Sequence, residues 1–308
     1  MRDINKVLVL GSKGFIGSSV ISTLSKKYET VGADRKDLDF RDTLEMTNLI
    51  RDIGADTVVN AAGRVAGIQG NIDIPADLLI ENAHLSSSVL QACHANKIKN
   101  YVQFASACVY PLGSSHNSKP EDIGAGVIEQ TSKSYAAAKI LAIEGVRAFS
   151  SQYGYSWLTI IPSNIYGPGD WRAGSNGHVV AMLIDRIDDA VKNRQGSITI
   201  WGDGKATRNF LHVEDLACAV SFLLENIDDP PPVVNANGYE ESSILQVAQL
   251  ISSIAEFDGK IELDLTRPNG APRKNLDDSY LRQNGWSPKI SLKDGLVKYV
   301  QRFQDDQQ

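Results

Sequence analysis

Lys6-Val7-Leu8-Val9-Leu10-Gly11-Ser12-Lys13-Gly14-Phe15-Ile16-Gly17 decides the fold of this 308-residue chain. The run KVLVL is short, apolar and bounded by glycine, which predicts a buried strand. From Phe15 to Lys27 the apolar residues Phe15, Ile16, Val20, Ile21 and Leu24 recur at helical spacing. Between strand and helix, Gly11, Gly14 and Gly17 suit a tight turn, close approach of backbone to a pyrophosphate, and close helix–strand packing. The helix N-terminus adds free N–H groups and the positive end of a dipole, both favourable to phosphate. Three glycines alone also fit an α/β turn without a ligand; the strand–loop–helix setting favours dinucleotide binding.

Working outward, the same alternation continues. Glu29–Ala33, Thr57–Ala62, Asn100–Ser106 and Ser156–Ile161 read as strands, and Thr43–Ile53, Pro75–Asn96 and Tyr135–Tyr153 as helices. Such alternation implies a parallel sheet with right-handed crossovers. After about Tyr166 the pattern loosens. His178–Asn193, His212–Asn226 and Ser242–Phe257 read as helices, Ser197–Trp201 as a short strand, and Asp228–Pro232 as a turn. The expected architecture is α/β: a Rossmann-type doubly wound parallel sheet with a smaller, discontinuous α/β cap. The expected division is 1–165 with 209–238 for the dinucleotide unit, and 166–208 with 239–308 for the cap.

The second strand ends in Asp34-Arg35-Lys36. An acid there binds the adenosine ribose 2′-OH and favours NAD, while a cation accepts the 2′-phosphate of NADP. Both are present, and the adjacent Arg35 and Lys36 favour NADP(H) with NAD(H) as the alternative. Asp39 can face the adenine or serve a turn.

Ser134-Tyr135-Ala136-Ala137-Ala138-Lys139 places a tyrosine and a lysine on one helix face. A nearby ammonium favours tyrosinate, which suits a general acid for a carbonyl under hydride attack. Upstream, Phe104-Ala105-Ser106 can present a hydroxyl from a strand end to the same place.

On these motifs the chain resembles the extended short-chain dehydrogenase/reductases, in the NAD-dependent sugar-nucleotide epimerase/dehydratase group. The likeness spans nearly the whole chain through AAGRVAGIQGN (61–71), SACVYP (106–111), SYAAAK (134–139), PSNIYGPGD (162–170), SNGHVVAML (175–183), WGDGKATRNFLHVEDLA (201–217) and GAPRKNLDDSYLRQNGWSPKISLKDGL (270–296). Cys108, His178 and the GAPRKNLD segment point to its fucose-synthase-like branch.

That resemblance implies 3,5-epimerisation and C4 reduction of a GDP-4-keto-6-deoxyhexose with NADPH. It implies Ser106, Cys108, Tyr135, Lys139 and His178 as catalytic residues, with Cys108 and His178 as the acid/base pair. Cys108 is expected two residues beyond Ser106 on the same face of an extended segment, while Cys93 and Cys218 are expected in the core. Cofactor contacts are expected from Gly11, Gly14, Phe15, Ile16, Gly17, Asp34, Arg35, Asp39, Ala62, Tyr135, Lys139, Pro162, Asn164, Ile165 and His178. Substrate contacts are expected from Ser106, Asn164, Arg186, Trp201, Arg208 and Lys274. His84, His94 and His116 are read as surface or structural, and His212 as locally structural. The resemblance further implies a homodimer through Pro75–Asn96 and Tyr135–Tyr153. Two features depart from the branch: Asp34, and Trp171-Arg172 in the 171–174 stretch.

Composition agrees with an enzyme of small anionic molecules. Thirty-one Lys+Arg against 37 Asp+Glu give a formal charge of -6, which argues against a general nucleic-acid binder. Three widely spaced cysteines with no CxxC pair give no disulfide framework and no zinc site, so no metal is expected. MRDINKVLVLGSKG has no signal-peptide h-region, and no apolar stretch reaches the ~18 residues of a membrane span, so the expected location is cytoplasmic, without membrane contact. Two other readings stand beside the leading one. One is C4 reduction or epimerisation of a variant nucleotide sugar, a heptose or dideoxy sugar, without full 3,5-epimerisation. The other is a dinucleotide-sensing module without turnover, which would be expected to lack Tyr135 or Lys139.

Overall fold

The alternation of apolar runs and helical patterns gives a long series of parallel crossovers in the computed structural model, which describes residues 4–113, 117–170, 177–267 and 271–306. The first half runs β1 (Lys6–Leu10), α1 (Phe15–Leu24), β2 (Glu29–Ala33), α2 (Thr43–Ile53), β3 (Thr57–Asn60), α3 (Ile68–Asp73), α4 (Pro75–Ala95), β4 (Asn100–Phe104), α5 (Lys133–Tyr153) and β5 (Ser156–Pro162). Then come β6 (Asn164–Tyr166), α6 (Val179–Lys192), β7 (Ser197–Trp201), β8 (Thr207–His212), α7 (Val213–Asn226) and β9 (Val233–Ala236). The last part holds β10 (Glu241–Ser243), α8 (Ile244–Ile254), β11 (Lys260–Asp264), β12 (Arg273–Lys274), α9 (Ser279–Gln283) and α10 (Leu292–Asp305).

Six strands form one parallel sheet in the order β2-β1-β3-β4-β5-β9. The unbroken apolar run of β1 is explained by burial on both faces. Val7 and Val9 join Val20, Leu24, Leu216, Val220 and Leu223, from α1 and α7. Leu8 and Leu10 point the other way and join Met46, Ile50, Val89, Cys93 and Val146, from α2, α4 and α5. From β1 the chain steps to β2 on one side and then to β3 on the other. That reversal opens a crevice at the carboxyl ends of the strands, where ligands of doubly wound sheets bind.

A second core lies among α6, α8 and α10, with Val180, Ile184, Ile187, Val247, Ile251, Leu296, Val300 and Phe303 packed together. It adjoins a small sheet in which β8 pairs with β6, β10 and β12, and a two-stranded pair of β7 with β11. The sequence reading contains neither these short pairings nor β9. β6, β9, β10 and β12 have only two to four residues, too few to show alternation, and β9 follows directly on Pro230-Pro231-Pro232. Among the described residues no helix is long and apolar enough to cross a membrane.

Two expectations are corrected. Cys218 is exposed, because α7 buries the stripe Val213, Leu216, Ala217, Val220, Leu223 and Leu224, and position 218 falls outside it. Cys108 does not continue an extended strand. Ala107–Val109 is a single 3₁₀ turn that Ser106 caps by accepting from the Cys108 N–H at 3.4 Å. The Trp171-Arg172 departure and His116 lie outside the described residues.

The glycine turn is fixed sterically. Gly11 has φ of +74°, and a Cβ at Gly17 would stand 2.0 Å from the Gly11 carbonyl oxygen, backbone that cannot move aside. A Cβ at Gly14 would stand 3.2 Å from the same oxygen. Gly17→Ala is therefore expected to cost about 1–3 kcal/mol in urea unfolding, and Gly14→Ala distinctly less. Equal costs would show that the turn is not packed in this way.

Candidate active site

All six strands of the main sheet end on one edge, and most of the residues singled out in the sequence sit there. At the end of β1, Gly11 packs on Ala62 beyond β3: a Cβ at Gly11 would lie 2.9 Å from the Ala62 N and Cα. Gly14 is the N-cap of α1, and no side chain caps this helix. In contrast, Asp42 caps α2 by accepting from the N–H groups of Leu44 and Glu45. The first-turn amides of α1 are therefore left to bind a phosphate. Phe15 and Ile16 open the helix. The ring of Phe15 faces the loop after β6, since a Cβ at Gly169 would be 3.6 Å from Phe15 Cδ2.

At the end of β2, Asp34 is buried while Arg35 and Lys36 are exposed. Asp39 is not directed at a pocket; its carboxylate is paired with Arg41 at 2.7 Å, and this guanidinium holds it well below the usual carboxylate range, at about 2. Pro162 closes β5, and Asn164 and Ile165 lie in β6, paired with Phe210 and Leu211 of β8.

The centre of the edge is Lys139. One turn before it on α5, Tyr135 places its ring centroid 5.6 Å from the Lys139 ammonium. Both are buried, at 8% and 5% exposure. Lys139 Nζ donates to the Phe104 carbonyl at the end of β4, at 3.2 Å, and a Cβ at Gly63 would stand 3.5 Å from it. Burial pushes this ammonium down from its ordinary 10.5 to about 8, partly offset by Cys108. Two and four residues beyond β4 are Ser106 and the half-buried Cys108. Burial raises the Cys108 thiol, while the Ser106 hydrogen bond and the Lys274 and Lys139 charges pull it back.

His178 is the N-cap of α6, and its Nδ1 lies 2.8 Å from the Asp170 carboxylate. Asp170 is 1% exposed, its second oxygen has no partner among the described residues, and its carbonyl accepts from Tyr299 of α10. A buried carboxylate on Nδ1 fixes the ring and its tautomer and leaves Nε2 free to exchange a proton. Asp170 is absent from the sequence-derived site. The carboxylate eight residues before His178 gives no local periodic signal, and only the loop geometry joins them.

Of the expected substrate residues, Arg208 and Lys274 are neighbours across β8 and β12. Lys274 is ion-paired with Glu129, and Arg208 donates to the Thr207 carbonyl at 2.6 Å. Burial lowers the Arg208 guanidinium, against the pull of Glu129 and Glu241. Arg186 and Trp201 instead share the neighbourhood of β7. Arg186 bonds the Thr199 carbonyl, and Arg267 lies 5.0 Å over the half-exposed Trp201 ring. Among the remaining histidines, His212 is buried and accepts from the Glu214 N–H at 3.3 Å, and His94 meets the Tyr155 ring edge-on with its Nδ1 3.0 Å from the Tyr155 hydroxyl.

Chemically, the edge combines an uncapped helix N-terminus, a phenol beside a buried ammonium, a strand-end hydroxyl and a thiol, while an imidazole backed by a buried carboxylate stands at the start of α6. Among the described residues no cluster of three or more His, Cys, Asp or Glu could hold a metal ion.

A model of the NAD dependent epimerase/dehydratase family matches residues 7–236. The chain is 33% identical over 304 residues to a GDP-L-fucose synthase of Sinorhizobium fredii, covering 98% of this chain and 96% of that protein. It is 31% identical over 302 residues to a GDP-L-colitose synthase of Yersinia pseudotuberculosis, with 97% of each covered. Among solved structures it is similar to MlghC, a GDP-mannoheptose C4 reductase from Campylobacter jejuni with NADP bound, at TM-score 0.87 and 25% identity over 99% of both chains.

Lys139 also sets a pH dependence. Unfolded, it holds its proton up to about 10.5; folded, it releases it near 8. Folding therefore expels a proton between these values, and stability is expected to rise with pH across that window. Lys139→Met is expected to stabilise the protein at pH 7 by about 1–3 kcal/mol in urea unfolding and to flatten the rise. A less stable variant would show that the ammonium is not held at a cost.

Proposed function

The chain belongs to the NAD dependent epimerase/dehydratase family and is an NAD(P)-dependent oxidoreductase; on that premise we propose that it epimerises a GDP-4-keto-6-deoxyhexose at C3 and C5 and reduces its C4 ketone with NADPH. One observation carries this reading beyond reduction alone. Cys108, just beyond Ser106, lies close enough to Lys139 for their charges to interact, and a second candidate proton carrier, His178, is backed by the buried Asp170 at the start of α6. Reduction by itself needs one proton donor; exchange at two carbons calls for more.

The residues fit the cofactor. Gly11, Gly14, Gly17 and the open N-terminus of α1 cradle the pyrophosphate, with Phe15, Ile16 and Ala62 beside it, and Arg35 with Lys36 meets the 2′-phosphate. Asn164, Ile165 and Pro162 border the nicotinamide end with Tyr135, Lys139 and His178. NADPH supplies a hydride to C4 when bound. In this reading residues 1–165 and 209–238 carry the cofactor, and 166–208 and 239–308 close over the sugar nucleotide.

The C4 ketone acidifies the C–H bonds at C3 and C5. Cys108 and His178 take a proton from each carbon and return one to it, and the displaced electron pair rests on the C4 oxygen. Tyr135 and Ser106 donate hydrogen bonds to that oxygen and stabilise its charge. In the reductive step Tyr135 gives its proton to the C4 oxygen, and the Lys139 ammonium stabilises the tyrosinate left behind. Asp170 keeps His178 oriented throughout. Arg208 and Lys274 take the diphosphate, which must draw Lys274 away from Glu129. Asn164, Arg186 and Trp201 serve the rest of the sugar nucleotide.

The exposed Ile80 on α4, with Leu141 and Tyr153 on α5, supports a homodimer through these two helices. Three free thiols support a cytoplasmic setting.

With GDP-4-keto-6-deoxymannose, NADPH and D₂O, the enzyme is expected to consume NADPH and deliver a product with inverted, deuterated C3 and C5. Asp170→Asn should slow deuterium entry by about 10²-fold while NADPH affinity is unchanged. Cys108→Ser/His178→Gln should reduce the ketone without inversion. A wild-type product reduced at C4 but with C3 and C5 untouched sinks the epimerase assignment and favours C4 reduction alone, as in the heptose reductase. Sedimentation at micromolar concentration should show a dimer; a monomer excludes the helix-pair interface.

A further inference from the structure

An acid at the end of the second strand ordinarily chelates the adenosine ribose hydroxyls and selects NAD. Here the acid is present and its oxygens are already in use. Asp34 Oδ2 accepts from the Ser12 hydroxyl at 2.7 Å, and Oδ1 accepts from the Lys13 N–H at 3.0 Å. Asp34's own N–H donates to the Asp37 carboxylate at 2.7 Å, which holds the backbone of the turn. The result is a buried clamp, with Ser12 at 8% and Asp34 at 9% exposure. Arg35 and Lys36, next in the chain, are exposed.

The clamp depends on a glycine in the neighbouring strand. A Cβ at Gly32 would stand 2.4 Å from Ser12 Oγ and 2.6 Å from Ser12 Cβ. Ser12 therefore lies directly over β2 in the space that this side chain would fill. Three positions, Ser12, Gly32 and Asp34, act as one unit joining the glycine loop to the second strand.

We propose that Ser12 is a cofactor-specificity residue: by turning the Asp34 carboxylate inward to the glycine loop, it withholds that acid from the ribose and leaves the 2′ position to Arg35 and Lys36. The proposal rests on the NADPH reading above. It accounts for an acid at the NAD-selecting position beside two cations, because the acid is spent on the protein's own loop. Replacing Ser12 by alanine removes the Oδ2 donor without adding bulk. The freed oxygen can then accept from a ribose 2′-OH, and its charge faces any 2′-phosphate.

The test is binding of NADPH and NADH to the whole protein, followed by quenching of tryptophan fluorescence, with no turnover. Wild type is expected to prefer NADPH. Ser12→Ala should narrow the NADH/NADPH Kd ratio about tenfold, the worth of one hydrogen bond to a charged group. Ser12→Thr, which keeps the hydroxyl, should retain the wild-type ratio. Ser12→Ala/Asp34→Asn should lose the gain in NADH affinity, since that gain runs through the carboxylate. A ratio unchanged within twofold in Ser12→Ala, with wild type still preferring NADPH, overturns the proposal alone. So does a gain in NADH affinity that survives in the double variant. A wild-type preference for NADH overturns the cofactor reading and this proposal with it.

Discussion

A single hydrogen bond, from the Lys139 ammonium to the Phe104 carbonyl, joins the two halves of the reactive edge. It ties the first turns of α5 to the end of β4, so that Tyr135 and Ser106, which come from separate elements, answer to one anchor. Burying a cation with a neutral acceptor is unfavourable, and the lowered Lys139 value expresses that cost. The sheet and α5 must over-determine the position for it to persist. Families of enzymes accept such a cost where the strained group is the working one.

The remaining parts of the site repeat the pattern of a reactive group held by a buried partner from another element. Asp170 holds His178, and is itself held by Tyr299 from α10. Ser12 and the Lys13 amide hold Asp34. Gly17 and Gly11 interlock so tightly that the glycine turn has one geometry. Each partner fixes a direction, which is what catalysis by positioned donors and acceptors requires. Lys274 differs: its partner is the carboxylate of Glu129, an anion of the protein's own.

Much of this was legible in the sequence, and the reasons for the exceptions are physical. β1, α1 and the main crossovers show as period and punctuation because both faces of the sheet are buried. Tyr135, Lys139 and Ser106 are visible because helical spacing and a strand end are local properties. The sequence does not show the conformation of Cys108, since a single 3₁₀ turn leaves no periodic trace. Cys218 shows that a small apolar residue on a helix is not thereby inside; the stripe decides. Asp170 and Ser12 leave no local signal, because each makes its contact across a loop or a strand. β9 and the strands β6, β10 and β12 that flank β8 are too short to announce themselves, and exist because longer elements bring them together.

The central claim is that Lys139 is a buried ammonium, anchored on the β4 carbonyl, whose burial depresses its basicity. The most direct measurement is a pH titration of the Lys139 side chain by NMR in protein with isotope-labelled lysines, assigned by comparison with Lys139→Met. A midpoint near 8, apart from the other lysines, is the predicted result. A midpoint at the ordinary value near 10.5 would mean that Lys139 is solvated, and that the edge is not organised around it.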